Sequence, residues 1–220
     1  MSRVAEIAAN LAEVRARMEA ACRRAGRDPA SVTLLAVTKT KPLEDLLAAY
    51  EAGVRHFGEN RVQEAEEKFP RLPGDAVRHL VGPIQSNKAN RAARLADVLH
   101  AVDSADVARR LARAAGNEGR RVSVFVEVNT GGEATKAGAT PEEAPALVEV
   151  VRSHPELDLR GLMAIPPPGD TRPHFAALRR LAERLGLSEL SMGMSDDFEA
   201  AIEEGSTIVR VGTALFGRRP

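Results

Sequence analysis

The sequence contains no tryptophan, one tyrosine, six phenylalanines and one cysteine. A lone cysteine, Cys22, excludes an internal disulfide and suits a reducing compartment. It shares a helical pattern with Leu11 and Met18, so it reads as packing, not as a reactive thiol. Net charge is absent as well. Lys+Arg and Asp+Glu each number 31, which removes any global attraction to nucleic acid or an anionic membrane. No apolar run reaches the roughly 18 residues of a membrane span. The opening "MSRVAEIAANLAEVRARMEAACRRAGRDP" is an amphipathic helix without the apolar centre of a signal peptide, so a cytoplasmic location is expected. No G-x-G-x-x-G follows the first strand-like segment, which argues against a doubly wound dinucleotide fold. His56, His79, His100, His154 and His174 show no metal-ligand spacing with cysteine or carboxylate, so no metal is expected.

What is present is a repeated alternation. Strand-like segments at 32–39, 56–59, 78–82, 98–103, 122–129, 159–165, 189–194 and 208–216 alternate with helical patterns starting near Pro42, Asn60, Ser86, Ser104, Pro141, Thr171 and Asp196. Proline, serine, threonine and aspartate at those starts are N-cap and first-turn residues. Eight βα units in 220 residues predict a compact (β/α)8 TIM barrel preceded by an extra N-terminal helix. No linker or composition shift divides the chain, so one domain over 1–220 is expected, with the helix at 1–27 and the barrel at 32–217.

The fifth strand shows which way the barrel faces. In "RVSVFVEVN" the valines 122, 124, 126 and 128 share one face, and Ser123, Phe125, Glu127 and Asn129 share the other. The valine face is expected to meet the helices, and the mixed face to point into the barrel. Active sites of this fold lie at the C-terminal ends of the strands. Collecting those ends brings together Lys39 and Lys41, Glu59 and Asn60, His79, Met163, the "SMGMS" segment, and Arg210, Gly212 and Thr213.

Leu35, Val37 and Lys39 alternate onto one face, which makes Lys39 an inward amine, with Lys41 expected further out on that face. Burial and a second nearby cation both favour the neutral amine that attacks a carbonyl. The plainer alternative is a lysine reaching solvent from a strand end. Ser195 in "SMGMS" and Gly212 and Thr213 in "VRVGTALFG" offer backbone N–H groups and hydroxyls to an anion, at the usual phosphate position of this barrel. Arg210 should point inward, either into a salt bridge with Glu127 or as a donor to a ring nitrogen. An imine-forming lysine, a phosphate cup and a ring-nitrogen partner match the requirements of pyridoxal 5′-phosphate (PLP). Lys88 and Lys136 read as surface residues ahead of a second anion site.

The segments "AVTKTKP", "HFGENRVQE", "HLVGPIQSNK", "GLMAIPP" and "SMGMSDDFEAAIEEGSTIVRVGTALFG" resemble the YggS/PROSC family of PLP homeostasis proteins, in order and over nearly the whole chain. The resemblance implies a barrel like the N-terminal domain of alanine racemase, holding PLP as a lysine Schiff base without an established catalytic reaction. It implies Lys39 as the Schiff-base residue, Ser195, Gly212 and Thr213 as phosphate ligands, and Arg210 as the pyridine-nitrogen partner. Asn60, His79 and Met163 match family positions around the cofactor. Thr38 and Arg61 depart from the family's frequent serine and tyrosine.

Three functions fit these residues: a PLP carrier or regulator, a PLP-dependent amino-acid racemase, and a Schiff-base aldolase acting on a sugar phosphate. Racemases of the related fold add a β domain, whereas this chain stops after the eighth strand, and they commonly use a second acid/base tyrosine. The single tyrosine here, Tyr50, is expected on the outer helix after the first strand. A carrier is therefore expected: a monomer that is not an enzyme, with apo PLP enzymes as recipients and with no nucleic-acid or membrane partner.

Overall fold

The computed structural model describes residues 2–133 and 136–217, so the expected outer limits at 1 and 220 lie outside the described residues. Eight parallel strands close into a barrel in chain order: β1 (Thr33–Val37), β2 (His56–Glu59), β3 (Val77–Leu80), β4 (Val98–Val102), β5 (Val122–Glu127), β6 (Leu157–Met163), β7 (Glu189–Met194) and β8 (Ile208–Val211), with β1 paired to both β2 and β8. The helices are α1 (Arg3–Arg24), α2 (Leu43–Glu51), α3 (Val62–Lys68), α4 (Ala89–Leu95), α5 (Ala105–Asn117), α6 (Ala144–Arg152), α7 (Arg172–Arg184), α8 (Phe198–Glu203) and α9 (Thr213–Phe216). The chain is a (β/α)8 TIM barrel with an added N-terminal helix.

That first helix forms because Ile7, Leu11, Val14, Met18, Ala21 and Cys22 recur at helical spacing and are all buried. The Ser2 hydroxyl caps it by accepting the Ala5 N–H at 3.2 Å. Arg3 then grips Asp45 of α2 through two bonds of 2.8 and 2.7 Å and donates to the Phe216 carbonyl of α9 at 3.0 Å. One arginine thus ties the N-terminal helix to the elements behind the ends of β1 and β8.

Alternation separates two apolar cores, as anticipated for β5. Val122, Val124, Val126 and Val128 join the large layer between strands and helices, while Phe125 packs inside the barrel with Leu35, Val81, Ala101, Met163 and Ile208.

Several strand ends differ from the sequence expectation, those of β1 and β8 most. β1 stops at Val37, not Lys39: Thr40 adopts φ 64°, and the Lys41 N–H returns to the Thr38 carbonyl at 3.0 Å, which closes a turn. Lys41 therefore does not continue the inward row of Leu35 and Val37; its ammonium donates to the carbonyls of Phe216 and Gly217 at 3.4 and 3.3 Å. β8 stops at Val211 instead of Phe216, because the Leu215 and Phe216 N–H groups both turn back to the Gly212 carbonyl and begin α9. β6 likewise begins at Leu157 and ends at Met163, before Ile165.

Gly193 in β7 has φ +91°, and a Cβ there would lie 2.5 Å from the Ala201 Cβ and 3.0 Å from the Phe198 Cα. Neither neighbour can swing aside. Gly193→Ala is expected to cost roughly 1–3 kcal/mol of unfolding free energy through overpacking, measured by urea denaturation. A variant as stable as the parent would show that α8 does not rest on β7 this closely.

Candidate functional site

Lys39 follows β1 at the C-terminal mouth and is half-buried. Its two neighbours are held from behind. Thr38 is fully buried; its Oγ1 donates to Glu59 Oε1 at 2.7 Å, and its carbonyl accepts from Lys68 Nζ at 3.1 Å. The Thr40 N–H donates to Glu64 Oε2 at 2.8 Å. Lys68, buried in α3, also donates to Glu59 Oε1 at 2.7 Å and Glu64 Oε2 at 3.0 Å, so all three of its protons are used. Burial pushes the Glu59 carboxyl above the usual range, against the opposing pull of the Lys68 ammonium and the Thr38 hydroxyl. This buried cluster sets the backbone on both sides of Lys39.

The anion cradle lies beside it. The N–H groups of Gly212 and Ala214 converge on the Ser195 hydroxyl at 3.2 and 3.3 Å. A Cβ at Gly212 would sit 3.3 Å from the Val37 carbonyl, so this cradle abuts the end of β1, two residues before Lys39. Thr213 is exposed at the first turn of α9. Two backbone donors and a hydroxyl at one spot, with the Thr213 side chain exposed next to them in sequence, suit a phosphate.

Arg210 points into the barrel and is 4% exposed. Its Nη1 donates to the Ser191 carbonyl at 2.6 Å and to Ser191 Oγ at 2.8 Å, and its Nη2 donates to the Ala164 carbonyl at 2.9 Å. These acceptors stand in place of the salt bridge to Glu127, one of the two alternatives read from the sequence. Burial lowers the guanidinium to about 10, which leaves it protonated at neutral pH, while Glu127 and Asp197 pull the other way. Glu127 is raised to about 7 by its own burial and by Asp103, with Arg210 opposing. Its Oε2 has no hydrogen-bond partner among the described residues.

Of the anticipated site residues, Lys39, Asn60, Ser195, Gly212 and Thr213 follow the C-terminal ends of their strands at the mouth, and Arg210 lies one residue before the end of β8. Met163 is fully buried and forms part of the floor with Phe125 and Leu35. His79 is placed elsewhere. It lies inside the barrel, bonded to His56 at 3.0 Å and His100 at 2.9 Å, and it lines a cavity at the N-terminal ends of the strands. The sequence reading gave no role to His100, His56 or Lys68 in the site, and took Ser191 only as part of the "SMGMS" segment. The histidines carried one available signal, a spacing of 23 and then 21 residues, which is one histidine per βα unit. Lys136, read as a surface residue, pairs with Glu133 at 2.5 Å. Among the described residues no group of His, Cys, Asp and Glu could hold a metal ion.

Residues 6–220 match the family model "Alanine racemase, N-terminal domain". The pyridoxal phosphate homeostasis protein of Pseudomonas aeruginosa is 50% identical over 220 residues, covering 97% of this chain and 96% of that one. The chain belongs to the pyridoxal phosphate homeostasis family. Two solved structures accompany that assignment. A Bifidobacterium adolescentis protein described as unknown is 38% identical, with TM-score 0.89 and coverage of 97% and 96% of the two chains. PipY of Synechococcus elongatus PCC7942, solved with PLP bound, is 40% identical, with TM-score 0.83 and coverage of 96% of this chain and 100% of its own. In this homeostasis-family chain an amine, a set of backbone N–H and hydroxyl donors and an inward guanidinium are the kinds of group that the aldehyde, phosphate and ring nitrogen of PLP require. The residues present fit that group.

Proposed function

We propose that this protein captures PLP covalently on Lys39 and holds it for delivery, acting as a carrier and regulator of the cofactor and not as an enzyme. When bound, PLP supplies an aldehyde that condenses with an amine. The observation that carries the reading is the close approach of Gly212, in the Ser195–Gly212–Ala214 cradle, to Val37, the last residue of β1 and two positions before Lys39. In this reading Ser195, Gly212 and Thr213 bind the phosphate, and Arg210 donates to the ring nitrogen. Met163 packs beneath the ring, and Asn60 borders it from the end of β2. Arg210 stays protonated and leaves that nitrogen without a proton of its own.

Tyr50 supports holding over racemisation. It is the only tyrosine in the sequence, and it sits on α2 with its hydroxyl bonded to Asp75 at 2.5 Å on the outside of the barrel. No tyrosine of this chain faces Lys39 as a second acid/base. In this reading the protein works as a monomer that gives PLP to apo PLP enzymes in the cytoplasm. Among the described residues no helix is long and apolar enough to cross a membrane.

The test is a PLP titration of the purified protein, followed by borohydride reduction and peptide mapping. An absorbance band near the visible and a reduced adduct on Lys39 are expected. A protein that stays colourless and unlabelled with PLP in excess sinks this reading and leaves the sugar-phosphate aldolase as the better account. Appreciable exchange of the alanine α-proton in deuterated water would instead favour a racemase.

A further inference from the structure

Behind Arg210 a line of hydrogen bonds crosses the barrel interior. Arg210 Nη1 lies 2.8 Å from Ser191 Oγ, and that oxygen lies 2.8 Å from His100 Nδ1. His100 Nε2 lies 2.9 Å from His79 Nδ1, and His79 Nε2 lies 3.0 Å from His56 Nδ1. The line joins β8, β7, β4, β3 and β2, and all members but His56 are buried. We propose that Ser191, His100, His79 and His56 are positioning residues for Arg210, a one-way hydrogen-bonded chain that holds the guanidinium from beneath the mouth.

The direction follows from donor chemistry alone. Arginine only donates, so Ser191 Oγ accepts from Arg210. A hydroxyl has one proton, and among the described residues the remaining partner of Ser191 Oγ is His100 Nδ1. His100 must therefore accept at Nδ1 and carry its proton on Nε2, from which it donates to His79 Nδ1. The same rule fixes His79 and then His56 as Nε2–H forms. Reversing the chain would bury the Ser191 hydroxyl proton without an acceptor, which is the unfavourable outcome. Neutrality agrees with the burial: His79 is held at about 3, chiefly by desolvation and then by His56, and His100 lies well below its ordinary value through burial, His79 and Arg210. Desolvation lowers His56 as well.

The consequence falls on the mouth. Both protons of Nη1 go to Ser191 and one of Nη2 goes to the Ala164 carbonyl, so three fixed acceptors set the guanidinium plane. Nε–H and one Nη2 proton remain for a ligand. Every proton in the chain points away from Arg210, toward the cavity of about 520 Å³ that His56 and His79 line with Thr33, Ser123, Arg160 and Glu189. The chain therefore cannot pass a proton up to a ring nitrogen bonded to Arg210. The ring nitrogen belongs to the PLP reading above; the tautomers do not depend on it.

The test is long-range proton–nitrogen NMR of ¹⁵N-histidine-labelled, ligand-free protein at neutral pH, on the parent and on Ser191→Ala. In the parent, His56, His79 and His100 are expected to be neutral with the proton on Nε2. In Ser191→Ala, the His100 Nδ1 resonance is expected to move as its donor is lost, and those of His79 and His56 to move after it, one and two links away. PLP should bind this variant about fivefold more weakly, the loss of one ordinary hydrogen bond. An Nδ1–H or doubly protonated ring in the parent overturns the chain, and so does a Ser191→Ala spectrum in which His100 alone responds. Should Ser191→Ala fail to fold, His56→Phe removes the last acceptor at the half-buried end; unchanged His79 and His100 resonances there would overturn it equally. Tautomers as described in a protein that binds no PLP would sink the PLP reading and leave the chain standing.

Discussion

Lys39→Ala is expected to abolish the near-visible absorbance of the protein with PLP, whereas Lys41→Ala keeps the band and changes affinity or transfer. The two lysines are two residues apart, yet the Thr40 turn at φ 64° separates their roles. Lys39 remains at the mouth, two residues past the Val37 carbonyl that Gly212 approaches, while the Lys41 ammonium bonds to the Phe216 and Gly217 carbonyls at the end of α9. Removing the first deletes the amine that would form the covalent bond; removing the second loosens the attachment of the cradle's helix to the loop. Absorbance with and without borohydride reads the difference. A Lys39→Ala protein that still forms one reducible adduct at a defined residue would transfer the assignment to that residue.

Lys68→Met should have the largest effect on stability, a loss of roughly 3–5 kcal/mol, the usual result of stranding one member of a buried ion pair. Methionine fills the space of the lysine stem but leaves Glu59, at 0% exposure, with only the Thr38 hydroxyl. It also removes the bond to the Thr38 carbonyl and frees Glu64, so the backbone on both sides of Lys39 loosens. PLP capture should weaken along with stability. The pH dependence follows from Glu59, whose carboxyl is already raised by burial and rises further without its cation. A folded-state value above the unfolded one gives stability that is full below the unfolded value of about 4.3 and is lost as pH rises through the folded value. The deficit of Lys68→Met should therefore be smaller near pH 5 than at pH 8. Urea melts at the two pH values test this, and the Glu59→Leu/Lys68→Met double variant should recover most of the stability. Equal deficits at both pH values would mean that Glu59 stays ionised without Lys68.

The barrel was legible in the sequence because its signals are local. Strand alternation follows from successive Cβ atoms pointing to opposite faces, and it placed Phe125 inward and the β5 valines outward as observed. The same alternation marked Arg210 as an inward residue. The ends of β1 and β8 were not legible, because each hangs on one or two backbone angles: a left-handed threonine at 40, and a chain at Gly212 that turns into α9.

His100 and Ser191 are 91 positions apart, and nothing in either segment names the other. They meet because the barrel closes, which brings β4 and β7 side chains together across its interior. Lys68 reaches the turn beside Lys39 from 30 positions away for a similar reason, since α3 folds back over β1 and β2. By itself the sequence determined the repeating units, the faces of the strands and the kinds of group at their ends, all set by steric preferences within a few residues. The tertiary structure alone decided which of those groups touch, because side-chain bonds across a closed barrel depend on strand register and closure.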